Sequence, residues 1–165
     1  MGEALEFAEV CDLDEISNLY SEKIRSSYAS GAVQWTEAYI NETCNKDYLR
    51  SRIEAQDYFV LKEDGKIVAG CVLTERDEYD LWEEPCEYSV FVFWLVSIKK
   101  GAGRSLLRHI KNYCRKNEYK YIKLHCRNEV DGLKAFYTKF GFKEIAIVPS
   151  KLRKGDFSCL LKLDV

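Results

Sequence analysis

A chain of 165 residues, 47% apolar and 32% charged, can bury one core, and a single domain over 1–165 is expected. A formal charge of −2 argues against nucleic acid as the main partner, and no stretch approaches the roughly 18 apolar residues of a membrane span. Cys11, Cys44, Cys71, Cys86, Cys114, Cys126 and Cys159 are scattered without a CxxC pair, and with only two histidines they give no zinc spacing. They read as reduced, small apolar side chains, so no metal and a cytoplasmic location are expected. "MGEALEFAEV" has neither the basic region nor the apolar run of a signal peptide.

In chain order, "ALEFAEV" alternates and predicts a short first strand. Asp12 then stands as an N-cap with Glu15 three residues on, a capping-box spacing. Leu13, Ile16, Leu19, Ile24 and Tyr28 recur at helical intervals, and "SGAVQW" breaks that first helix. Asn45 can cap a second helix carrying Leu49 and Ile53 on one face. "DYFVLKEDGKIVAGCVLTER" predicts a hairpin turning at Asp64-Gly65. "EYSVFVFWLVS" has too little alternation for a sheet with one wet face and reads as a strand covered on both sides.

"SIKKGAGRSLLRHIKNYC" ends that strand and opens a helix with an apolar stripe of Leu106, Leu107, Ile110, Tyr113 and Cys114. "YKYIKLHC" sets Ile122, Leu124 and Cys126 against Tyr121, Lys123 and His125, as a strand with two distinct faces does. "GLKAFYTKF" predicts a helix presenting Leu133, Phe136, Tyr137 and Phe140, closed by Gly141. "FKEIAIV" and "FSCLLKLDV" finish the chain as paired strands. The order β-α-α-β-β-β-α-β-α-β-β defines an α/β chain with a mixed sheet.

The segment "KKGAGR" is where chemistry first shows. A helix N-terminus offers unpaired N–H groups and partial positive charge, and glycines at 101 and 103 let an anion come close. Lys99, Lys100, Arg104 and Arg108 add positive potential. A tight turn with solvated lysines explains the same residues. The segment lacks the GK[ST] of a Walker loop, and Leu106 stands where a dinucleotide fingerprint needs its third glycine.

Order and spacing favour the anion site. Over residues 5 to 163 the chain resembles the GNAT superfamily of acetyl-CoA-dependent N-acetyltransferases. "LVSIKKGAGRSLL" is similar to its [QR]-x-x-G-x-[GA] motif, "AFYTKFGFKE" to its Tyr-x-x-x-Gly-Phe motif, and "DGKIVAGCVL" to its hairpin before the cofactor strand. "GAVQW" before a second helix is similar to a subgroup of small bacterial-type enzymes. The chain departs from the pattern at Ile98, which replaces the polar [QR] residue, and in a shortened approach to the loop. Lys99 and Lys100 can offset that loss electrostatically.

The resemblance implies a GNAT fold with its fourth and fifth strands splayed, acetyl-CoA as co-substrate and direct transfer to a primary amine. It implies that backbone of Trp94, Leu95, Val96 and Ser97 pairs with the pantetheine arm, an N–H nearby facing the developing oxyanion. Lys100, Gly101, Ala102, Gly103, Arg104 and Ser105 would seat the pyrophosphate, and Asn128 would contact the cofactor. Tyr137 takes the general-acid position, and Glu87, or less readily Glu84, is the candidate base.

The stretch "ERDEYDLWEEPCE" holds seven acids against one arginine, either a solvated loop or a field for a cationic amine. Trp35, Tyr39 and Trp82 could wall such a substrate. A Cys126–His125 pair fails, because neighbouring strand residues face opposite ways. A small-molecule amine acceptor is the first expectation. A GNAT-fold acyl-CoA sensor without turnover and a protein or peptide N-acetyltransferase are the alternatives, in a monomer or homodimer.

Overall fold

The computed structural model describes residues 2–31 and 33–165. The strands are β1 (Glu3–Phe7), β2 (Tyr58–Glu63), β3 (Lys66–Thr74), β4 (Ser89–Ser97), β5 (Tyr121–Arg127), β6 (Lys143–Pro149) and β7 (Phe157–Asp164). The helices are α1 (Leu13–Ser30), α2 (Glu37–Thr43), α3 (Lys46–Glu54), α4 (Ala102–Lys116) and α5 (Asp131–Phe140), with a 3₁₀ turn at Val10–Asp12. The strands form one mixed sheet in the order β1-β2-β3-β4-β5-β7-β6. β4 and β5 run parallel from Ser89↔Tyr121 to Val92↔Leu124, and β7 pairs antiparallel with β5 and β6.

Three helices, not two, separate β1 from β2. The additional α2 is capped by Thr36, whose hydroxyl accepts from the Tyr39 N–H at 3.2 Å. It buries only Ile40, too little for a helical stripe to show in the sequence. Asn45 caps α3 as expected, its side chain accepting from the Tyr48 N–H at 3.0 Å. The capping box at the start of α1 falls elsewhere. Asp12 accepts from the Glu9 N–H at 2.9 Å around the 3₁₀ turn, while Glu15 accepts from the Ile67 N–H of β3 at 2.9 Å. Glu15 ties α1 to the sheet instead of capping it. In the β2–β3 hairpin, Asp64 and Gly65 both turn left-handed (φ 51° and 78°), the geometry of a tight two-residue connection.

The chain forms two compact units, Met1–Leu73 with Trp94–Ile110, and Thr74–Phe93 with Lys111–Val165. In the first, α1 and α3 bury Ile16, Leu19, Tyr20, Leu49 and Ile53, and Tyr58, Val60, Leu61, Cys71 and Val72 are buried from the sheet. In the second, Val90–Phe93, Ile122, Leu124, Cys126, Phe142 and Cys159–Leu161 make the core. All seven cysteines are free thiols, five of them buried.

Candidate functional site: the α4 turn and the β4 backbone

β4 ends at Ser97 and α4 begins at Ala102, so the chain must turn within four residues. Gly101 makes the turn in the left-handed region (φ 84°), where a side chain is strained although space is open around its Cα. The Ala102 N–H returns to the Lys99 carbonyl at 3.0 Å, and the first helical bond runs from the Ser105 N–H to the Gly101 carbonyl at 3.0 Å. The Gly103 and Arg104 N–H groups, in the first turn of α4, therefore have no acceptor within the helix. A cleft of about 320 Å³ is lined on this side by Lys100, Gly101, Ala102, Arg104, Ser105 and Arg108.

The same cleft is faced by two carboxylates that sequence reasoning missed. Lys99 Nζ lies 2.5–2.6 Å from both oxygens of Glu63. Ser105 donates its hydroxyl to Glu3, which also takes Arg108 Nη2 at 3.5 Å and lies 3.7 Å from His109 Nε2. That hydroxyl bond, aided by the Arg108 and His109 charges and opposed by partial desolvation, holds the Glu3 carboxyl below its ordinary pKa. Glu63 raises the Lys99 ammonium in turn. Glu3 and Glu63 are direct partners across the β1–β2 ladder, a register no local pattern announces. Lys99 is thus engaged by Glu63, while exposed Lys100 and Arg104 stand nearer to the role expected of both lysines. The basic turn and its open glycine fit an anion, with two acids to displace or tolerate.

Along β4 the backbone breaks its extended run. Trp94 adopts φ 53°, an outlier for a bulky residue, and is only 8% exposed. Its ring lies against Trp35 and Tyr39 (centroids 5.8 Å each) and Tyr48 (6.3 Å). Its Nε1 has no hydrogen-bond partner among the described residues. Trp35 is buried in this cluster, also touching Tyr20 at 5.7 Å. Past Trp94, Val96 is buried and Leu95 and Ser97 are half-buried.

In the second unit Tyr137 is 7% exposed on α5, its ring edge-on to Phe136 and Phe142 (5.1 and 5.6 Å). Asn128 follows β5, its Oδ1 accepting from Lys134 Nζ at 3.0 Å. Glu87 is exposed and precedes β4, at the opposite end of that strand from Leu95–Ser97. Trp82 lies in the segment between β3 and β4. It is 8% exposed, and its ring carries the chain's own Lys123 ammonium at 5.0 Å.

Three of the seven acids around Trp82, Glu75, Asp77 and Glu84, have donors within the chain, while Glu78, Asp80, Glu83 and Glu87 are exposed. Glu84 binds Lys123 at 3.0 Å and Lys162 at 3.2 Å. Asp77 accepts from the Trp82 N–H at 2.9 Å, Tyr119 donates to Glu75, and Lys151 reaches the Asp80 carbonyl at 2.8 Å. No group of three or more His, Cys, Asp or Glu side chains among the described residues could hold a metal ion, and no described helix is long and apolar enough to cross a membrane.

In the mixed sheet β4 leads into the glycine turn and the basic start of α4, and the chain then returns as β5, parallel to β4. The family model of the Acetyltransferase (GNAT) family matches residues 16–142, and the chain belongs to that family. Solved structures share the fold at low identity. PaiA N-acetyltransferase from Thermoplasma acidophilum, in complex with coenzyme A, superimposes with TM-score 0.73 at 16% identity, covering 100% of both chains. A GNAT-family acetyltransferase from Listeria monocytogenes gives 0.70 at 20%, covering 99% of this chain and 95% of that one. The ribosomal-protein-S18-alanine N-acetyltransferase from Escherichia coli gives 0.67 at 17%, covering 99% and 94%. No curated protein sequence matches the chain.

Proposed function

We propose that the protein is an N-acetyltransferase that moves the acetyl group of acetyl-CoA to a primary amine of a small molecule. The observation that carries this is the α4 turn, where Gly101 opens a basic cleft at a helix start in a chain of the GNAT family. Coenzyme A in the Thermoplasma relative supports the choice of donor.

Acetyl-CoA supplies an acetyl thioester. Lys100, Gly101, Ala102, Gly103, Arg104 and Ser105 hold its pyrophosphate through helix-start N–H groups and the two cations. The backbone of Leu95, Val96 and Ser97 pairs with the pantetheine arm, and Asn128 keeps its amide N–H groups for the cofactor while its oxygen serves Lys134. The amine nitrogen forms a bond to the carbonyl carbon as the C–S bond breaks, the sulfur leaving with the electron pair. A backbone N–H facing the carbonyl oxygen is typically worth about 3 kcal/mol to that step. Tyr137 gives its phenolic proton to the sulfur and regains one from solvent. The proton shed by the amine goes to water. Trp35 lines the aromatic end of the acceptor side.

Calorimetry with acetyl-CoA followed by thiol release over an amine panel tests the reading. Tyr137→Phe is expected to lower turnover about 100-fold with cofactor affinity retained. Gly103→Asp is expected to weaken coenzyme A binding by steric and charge repulsion. Equal affinity in that variant would remove the cradle. A second reading, an acyl-CoA sensor without turnover, draws on Glu3 and Glu63, which already occupy cradle donors. Binding without thiol release from any amine would favour it.

A further inference from the structure

Tyr20 is buried on α1 (1% exposed), yet its hydroxyl has a task. It donates to the Trp94 carbonyl at 2.5 Å. A phenol carries a single proton, so the Tyr58 hydroxyl, 2.9 Å away, must be the donor to Tyr20. The result is a directed chain, Tyr58 O–H to Tyr20 O–H to Trp94 C=O, in which each bond polarises the next. Both phenols are held neutral, since burial raises each well above its ordinary range. The sequence makes room for them at Gly70 of β3. A Cβ built there would lie 2.8 Å from the Tyr58 ring and hydroxyl, closer than atoms pack.

The carbonyl so held belongs to the one β4 residue with positive φ. Such a backbone persists only where its surroundings over-determine it, and it clusters at functional sites. The peptide that follows Trp94 is trans, so its C=O and the Leu95 N–H point in opposite directions. With the carbonyl fixed on Tyr20, the Leu95 N–H is turned away from α1 and cannot swing back without breaking a buried bond. We infer that Tyr20, backed by Tyr58, is a positioning residue for acetyl transfer: it locks the Trp94 peptide so that the Leu95 N–H is presented to the acetyl carbonyl oxygen. The inference rests on the acetyl-CoA reading above. Tyr20 acts through the peptide and touches neither substrate.

The test uses acetonyl-CoA, whose ketone stands in for the thioester and cannot transfer, labelled with ¹³C at the carbonyl. A hydrogen bond to that oxygen moves its resonance downfield. The wild-type protein is expected to bind the analogue with a clear downfield shift. Tyr20→Phe is expected to bind it within about twofold of wild-type affinity, lose most of that shift, and lower kcat roughly 10- to 100-fold with little change in KM for acetyl-CoA. Tyr58→Phe, which leaves the Tyr20–Trp94 bond in place, is expected to lie between. It also carries the test if the Tyr20 variant does not fold. An unchanged resonance and kcat in a folded, binding Tyr20→Phe, or an unshifted ketone in the bound wild type, overturns the inference alone. Failure of the wild type to bind the analogue at all overturns the acetyl-CoA reading and this inference with it.

Discussion

Glu3 and Glu63 sit opposite one another on neighbouring strands, where like charges ordinarily repel. Lys99 and Arg108 neutralise them, and the same cations border the α4 cleft. An incoming pyrophosphate must therefore share these cations with the two carboxylates, and exposed charges at such separations interact weakly but measurably. Replacing Glu63 or Glu3 by Gln keeps the shape and removes the charge. Each variant is expected to tighten coenzyme A binding roughly fivefold at low salt, with the gain shrinking as salt rises. Weaker binding in both variants, measured by calorimetry, would show that the acids serve the ligand and do not compete with it. The basic half of this cleft was legible, because "KKGAGR" is contiguous. Its acidic half was not, since it depends on a strand register that brings residue 3 beside residue 63.

At the scale of elements, β5 shows how alternation can mislead. Ile122, Leu124 and Cys126 are buried as their spacing predicts, but Lys123 on the other face is 1% exposed. The loop between β3 and β4 folds over that face, supplying Glu84 at 3.0 Å, the Pro85 carbonyl at 3.1 Å and the Trp82 ring. A lysine reads as solvated until its partners are known, and these lie about forty residues earlier in the chain. The arrangement makes an asymmetric prediction. Glu84→Gln leaves a buried ammonium without its counter-charge and is expected to cost about 3 kcal/mol. Lys123→Met fills the space with an apolar chain, leaves Glu84 to Lys162, and is expected to cost less than about 1 kcal/mol. Urea denaturation of both variants measures the difference. Equal costs would mean that the ion pair, and not the uncompensated charge, sets the energy.

For the whole molecule, hydrophobic pattern announced the strands, the Asn45 cap and the Asp64-Gly65 hairpin. It could not announce the strand order, which follows from packing distant segments together, nor the left-handed Trp94. The acid response of the fold is likewise collective, but one residue dominates its upper range. The His125 ring packs edge-on to Tyr79 at 5.5 Å and near Phe93 at 6.0 Å, and burial lowers its pKa to about 4 against the opposing pull of Asp77. A histidine depressed in the folded state is neutral there while the unfolded chain takes up a proton. Stability is then full above the unfolded pKa of about 6.5 and falls as the pH drops toward 4. The expected loss over that window is on the order of 3 kcal/mol. The depressed carboxyls of Glu84, Asp14 and Glu129 act lower, because their contribution begins to go only where unfolded carboxylates titrate. The urea midpoint of the wild type should therefore fall between pH 7 and pH 4.5, whereas His125→Gln should stay nearly flat over the same interval. Parallel slopes in the two proteins would assign the upper acid limb to groups other than His125.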